Sequence, residues 1–93
     1  MSAYKAIASY VLTLEQCAHA TARAEDRPIY QTLLADSAGV LASGVAGDPA
    51  LIKARIATHE RLRGQLWLQD PVFQEASEAW EATKRALGNV AAL

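Results

Sequence analysis

The stretch Pro28–Gly47, PIYQTLLADSAGVLASGVAG, decides how the rest of the chain is read. Its ends are helix punctuation. Proline suits a first helical turn, whose N–H groups lack intrahelical partners, and glycine suits the residue just past a last turn. Placed at about 100° intervals, Ile29, Tyr30, Leu33, Leu34, Ser37, Val40, Leu41, Gly44 and Val45 fall on one face. Gln31, Thr32, Ala35, Asp36, Gly39, Ala42, Ser43 and Ala46 fall on the other. Asp36 is the only formally charged residue in the stretch. A surface helix ordinarily turns a charged face to water. This one reads as a central helix, or as one that finds a second partner.

Working outward, the three prolines divide the chain. Asp48-Pro49 and Asp70-Pro71 pair a residue that accepts the free N–H groups of a first turn with one that has no N–H to leave unpaired. Asp26-Arg27-Pro28 is a looser version of the same signal. Four helices follow, over about residues 3–23, 28–46, 49–68 and 71–87, with a tail at 88–93. The first carries a stripe of Tyr4, Ile7, Val11, Leu14, Ala18 and Ala22 at spacings of three and four. Cys17 lies beside that stripe, next to Tyr10 and Leu14. On the third helix, Leu51, Ile52, Ile56, Leu62 and Leu66 define an apolar side with Trp67 at its edge. The fourth turns Phe73, Ala76, Trp80, Thr83 and Leu87 inward. Its acids precede Lys84 and Arg85, an order that suits the helix dipole.

Short connections between long helices favour antiparallel neighbours. The expected fold is all-α, a small four-helix up-down-up-down bundle in a single domain. The alternative is a pair of opened helical hairpins completed by dimerisation, since a core this small is marginal alone.

Composition narrows the functional classes. Hydrophobic residues make up 52% of the 93 residues and charged residues 20%, which is neither a disordered nor a membrane composition. The net charge of −1 gives no basic excess of the kind that phosphate neutralisation requires, which argues against nucleic acid as a partner. One cysteine cannot form an internal disulfide, and no signal-peptide pattern opens the chain; both fit a cytoplasmic protein.

A search for chemistry returns little. His59-Glu60 is followed at position 63 by arginine, so the zinc-protease pattern fails. Glu15 and His19, four apart, form a two-ligand pair with no second cluster. Cys17 has no cationic neighbour on its helix to make it reactive and reads as a small buried hydrophobe. No phosphate loop, dinucleotide fingerprint or nucleophile elbow is present. Neither a catalytic residue, a metal nor a cofactor is expected.

Two features remain. Arg55, His59 and Arg63, each four residues from the next, fall inside the apolar arc of the third helix. With Trp67 they form a candidate anion- or partner-binding ridge. Alternatively the arginines snorkel past the apolar side or pair with Asp36, Glu78 or Glu81, and His59 is a satisfied, partly buried histidine. The second feature is the small-residue face of the second helix, Ala35, Asp36, Gly39, Ala42, Ser43 and Ala46, a candidate interface. Glycine costs a helix about 1 kcal/mol relative to alanine, so Gly39 and Gly44 call for a reason such as close packing.

The expected function is a non-enzymatic helical interaction module, homodimeric and binding another, unidentified protein through the second helix, the ridge, or both. A bundle that binds a small anionic molecule among Tyr30, His59, Arg63 and Trp67 is the alternative, with a nucleic-acid accessory protein third.

Overall fold

The computed structural model describes residues 2–44 and 48–91. Four helices, α1 (Ala3–Ala20), α2 (Arg27–Ser43), α3 (Pro49–Arg63) and α4 (Phe73–Ala91), account for most of them, with one 3-10 turn over Ala24–Asp26. No strand occurs among the described residues. The molecule measures 36 × 20 × 19 Å. α1 packs closely along both α2 and α4, while α3 touches α2 and α4 more sparingly. No helix among the described residues is long and apolar enough to cross a membrane.

Each helix starts or stops for a local reason. Ser2 opens α1 by accepting a hydrogen bond from the Lys5 N–H at 3.2 Å. α1 ends at Ala20, three residues before the expected Arg23, because Thr21 turns to extended backbone (ψ 137°) and its hydroxyl donates to Asp70. Gly44, with φ at 86°, adopts the left-handed conformation that ends α2. The expected stop at Gly47, together with Val45 and Ala46, lies outside the described residues. Asp48 caps α3 through the Ala50 N–H at 2.9 Å. α3 closes at Arg63 rather than at Leu68. Past it the backbone tightens into turns, with Gln65 and Leu66 donating to the carbonyls of Leu62 and Arg63. The Trp67 N–H is then taken by Asp26. α4 begins two residues after Pro71 and continues to Ala91, so part of the expected tail is helical.

The main core gathers Tyr10, Leu14, Cys17, Tyr30, Leu33, Leu66, Ala76 and Trp80. A second cluster of Ile7, Ile52 and Leu87 lies toward the N-terminus of α1. The inward stripe of α1 differs from the expected one. Tyr4 is 59% exposed, whereas Tyr10 and Cys17 are fully buried. Ala3 and Ala6 pack against Ala86, and small residues there set α1 close to α4 and rotate Tyr4 outward. On α3, Leu51 is exposed and the buried residues are Ile52, His59 and Arg63.

Candidate functional site

Spacings of four, three and four along α3 carry Ile52, Ile56, His59 and Arg63 into the interior, so two ionisable side chains enter a region built mainly of apolar ones. His59 is met from three sides. From α2, the Asp36 carboxylate lies 2.6 Å from Nε2. From α1, the Tyr10 hydroxyl lies 3.2 Å from Nδ1. From α4, the Trp80 ring stacks on the imidazole, with centroids 5.0 Å apart and planes 12° apart. Arg55, one turn earlier on α3, donates to the other oxygen of Asp36 at 2.5 Å. One side chain from each of the other three helices therefore converges on His59.

The Asp36–His59 distance is that of an ion pair, but the imidazole is neutral at neutral pH. Burial lowers its pKa below the usual histidine value; the Asp36 carboxylate opposes this, and the Arg55 and Arg63 charges add to the lowering. A neutral ring fixes the proton roles: Nε2–H donates to Asp36, and Nδ1 accepts from the Tyr10 hydroxyl. Asp36 is held below the usual carboxylate value. Burial pulls it up, and the hydrogen bonds from His59 and Arg55 outweigh that pull. The Tyr10 hydroxyl is pushed above the ordinary tyrosine range, chiefly by burial. Aspartate, histidine and hydroxyl stand in series, and the hydroxyl-bearing Tyr10 is 0% exposed. The arrangement joins helices.

Arg63 is only 8% exposed. Its Nη2 donates to the Ser77 hydroxyl of α4 at 2.8 Å, and the guanidinium lies 5.4 Å from the centre of the Phe73 ring. Its Nη1 is buried without a hydrogen-bond partner. Glu78 and Glu81 do not pair with it; Glu81 instead holds Lys84, which also bridges to Glu60.

A second polar assembly ties together the two connections at the other end. Asp26, fully buried, accepts from the Arg23 side chain at 2.6 Å and from the Trp67 N–H at 2.9 Å. Asp70 accepts from the Thr21 hydroxyl, the Ala22 N–H and the Val72 N–H. Arg23 also reaches the Gln65 carbonyl. Each connection thus holds a buried aspartate that satisfies N–H groups of the other. Asp70 is held below the usual carboxylate value; burial opposes this, and the Thr21 hydroxyl and three backbone N–H groups prevail.

The residues singled out by sequence divide accordingly. Arg55 pairs with Asp36, His59 and Arg63 lie inside, and Trp67 sits past the end of α3, 39% exposed. Tyr30 is fully buried in the main core, apart from Trp67. On α2, Ala35, Gly39, Ala42 and Ser43 are exposed, while Asp36 turns toward α3. Ala46 lies outside the described residues. A Cβ added at Gly39 would meet nothing within 4 Å, so close packing within the chain does not account for that glycine. Beside this face, where α3 leans away from α2, a groove of about 470 Å³ opens between Val40, Ser43, Leu51, Ile52 and Arg55. No group of three metal-ligating side chains occurs among the described residues. Cys17 is buried, with its thiol pushed up to about 11 mainly by burial. Sequence reasoning missed Tyr10 and Trp80 as partners of His59. The signal for Tyr10 was its spacing of four and seven from Leu14 and Cys17, which marks a stripe of its own.

Compared with protein-family models, with curated proteins and with solved structures, the chain finds no match.

Proposed function

We propose that the protein is a non-enzymatic interaction module of the cytoplasm that acts as a homodimer, two copies meeting through α2. Each copy is an up-down-up-down bundle, in which the contacts of α1 with α2 and α4, and of α3 with α2 and α4, are those of neighbours around a square. The observation that carries the reading is the outer face of α2. Pro28, Gln31, Thr32, Ala35, Ala38, Gly39 and Ala42 are exposed along it and uncharged; the charged Arg27 beside them in the first turn reaches back to the Ala18 carbonyl of α1.

A second copy is the occupant this face suits best. A two-fold contact sets the same patch against itself, so a charged patch would repel its own image, whereas an uncharged one does not. Small residues let two backbones approach closely. The seventeen residues of α2 give a helix roughly 25 Å long. Leu51 and the neighbouring groove extend the apolar surface at its C-terminal end. A stable dimer of ordinary size buries about 800 Å² per partner. The inward placement of His59 and Arg63 favours α2 over the α3 ridge as the route of association. The buried Cys17 thiol supports a reducing compartment.

Light scattering coupled to size-exclusion chromatography tests the reading. The expected result is a dimer at micromolar concentration that Gly39→Arg or Ala42→Glu converts to monomer without loss of helicity. Both residues are exposed, so neither variant disturbs the fold. A monomer at all concentrations, unchanged by either substitution, refutes it.

A further inference from the structure

The α2 face is narrow for a dimer contact. A helix roughly 25 Å long and about 10 Å wide covers on the order of 250 Å², whereas each partner in a stable dimer buries about 800 Å². A surface beside α2 has to take part. α1, on one side, exposes Lys5 and Glu15. α3, on the other, lines the 470 Å³ groove with Leu51, Ala54 and Thr58, and the charge it brings there, Arg55, is paired with Asp36.

The chemistry of the groove decides what suits it. Its floor is apolar, with Ile52 and Leu87 buried and Val40 packed against them. The hydroxyl protons at its rim are committed within the chain. Ser43 donates to the Gly39 carbonyl at 2.8 Å, and Thr58 to the Ala54 carbonyl at 3.0 Å. The Arg55 and Asp36 charges answer each other, so an apolar side chain suits the groove better than a charged one. Leu51 stands on the wall of this groove and is 60% exposed. A two-fold contact sets the same patch on both sides, so a residue that borders the groove of one copy faces the groove of the other.

On the premise of the dimer proposed above, we infer that the groove between α2 and α3 is the socket of a mutual exchange, in which each copy seats its Leu51 in the groove of the other. Leu51 of one copy then packs on Val40, Ile52 and Leu87 of the second. The exchange widens the contact beyond α2 and buries apolar surface on both sides of the symmetry axis.

Dimer dissociation constants measured by analytical ultracentrifugation test the exchange. Leu51→Ala removes the inserted side chain and adds no charge. Two side chains are lost per dimer, so the dissociation constant should rise by on the order of thirtyfold. Ala54→Trp fills the groove from its exposed rim and should weaken the dimer by about tenfold or more. Ala57→Trp, also exposed on α3 but away from the groove, should leave it unchanged. Circular dichroism checks that each variant keeps its helicity. If Leu51→Ala and Ala54→Trp dimerise as tightly as wild type while Gly39→Arg dissociates, the exchange is overturned and the α2 contact stands. An effect of Ala57→Trp as large as that of Ala54→Trp places the contact elsewhere on α3 and overturns it too. A wild-type chain that stays monomeric at all concentrations removes the dimer, and the exchange with it.

Discussion

Lowering the pH should destabilise this protein through His59 before its carboxylates titrate. In the folded chain the imidazole is neutral, its two nitrogens occupied by Asp36 and Tyr10. In the unfolded chain it titrates near 6.5. Between that value and its lowered folded value, the unfolded chain holds a proton that the folded chain lacks. Stability therefore rises with pH across the window and is lost as pH falls through it. The slope is at most about 1.4 kcal/mol per pH unit for one group. Against a total of roughly 5–15 kcal/mol for a domain, that loss is readily measured. Geometry gives the reason for it. A proton on Nδ1 faces the Tyr10 hydroxyl, which must cease to donate, and adds a third positive charge between Arg55 and Arg63. Urea unfolding at half-unit steps from pH 8 to pH 5 measures the slope, and His59→Gln is the control. The wild-type midpoint should fall below pH 6.5 while that of the variant stays level. A flat wild-type profile, or an equal fall in both proteins, refutes the reasoning. Near pH 4 and below, Asp36 and Asp70, both held below the usual carboxylate value, add a second loss of the same sign.

Other perturbations probe the remaining contacts. Tyr10→Phe leaves Nδ1 of His59 buried without its donor and should cost about 1–3 kcal/mol, read by urea unfolding at pH 8. Arg63→Met should leave stability unchanged or raise it by about 1 kcal/mol or more, because it removes an uncompensated buried charge for a side chain of similar reach. Calorimetry distinguishes this from the loss that follows when a paired arginine is removed. Asp26→Ala leaves the Trp67 N–H without its acceptor and removes one of the contacts of the partly exposed Arg23, and should cost about 1–3 kcal/mol. The loss should show as a lowered thermal midpoint in circular dichroism.

The sequence makes four helices legible because proline, aspartate and glycine act within a turn of themselves. Asp48-Pro49 opens α3 as read, since the capping hydrogen bond to Ala50 is local. The ends that shifted answer to distant residues. Thr21 leaves α1 for Asp70, and Trp67 leaves the α3 register for Asp26, contacts that span more than forty positions. The same division runs through the site. The spacing of Arg55, His59 and Arg63 along one arc was visible, and Asp36 was a named partner. That Tyr10 supplies the second contact to His59 was not, because it depends on the rotation of α1, which Ala3, Ala6 and Ala86 set by their small size. Position Gly39 shows a further gap. Its presence in a helix is plain from the pattern, but whether another element covers it is a property of the assembled helices alone.

α3 is attached differently from its neighbours. Two of its three buried residues, His59 and Arg63, are ionisable, and its apolar contribution rests on Ile52 with half-buried Ile56 and Leu62. Burying a Leu or an Ile resists exposure because water accepts it poorly, whereas water solvates a guanidinium and an imidazole well. Lifting α3 from the other helices therefore costs less than lifting α1, whose inward residues are almost all apolar. Amide exchange should grade the chain accordingly, with the slowest protons at the centre of α1 and earlier exchange along α3. Lifting α3 in this way would widen the groove beside α2, which α3 lines through Leu51, Ile52 and Arg55.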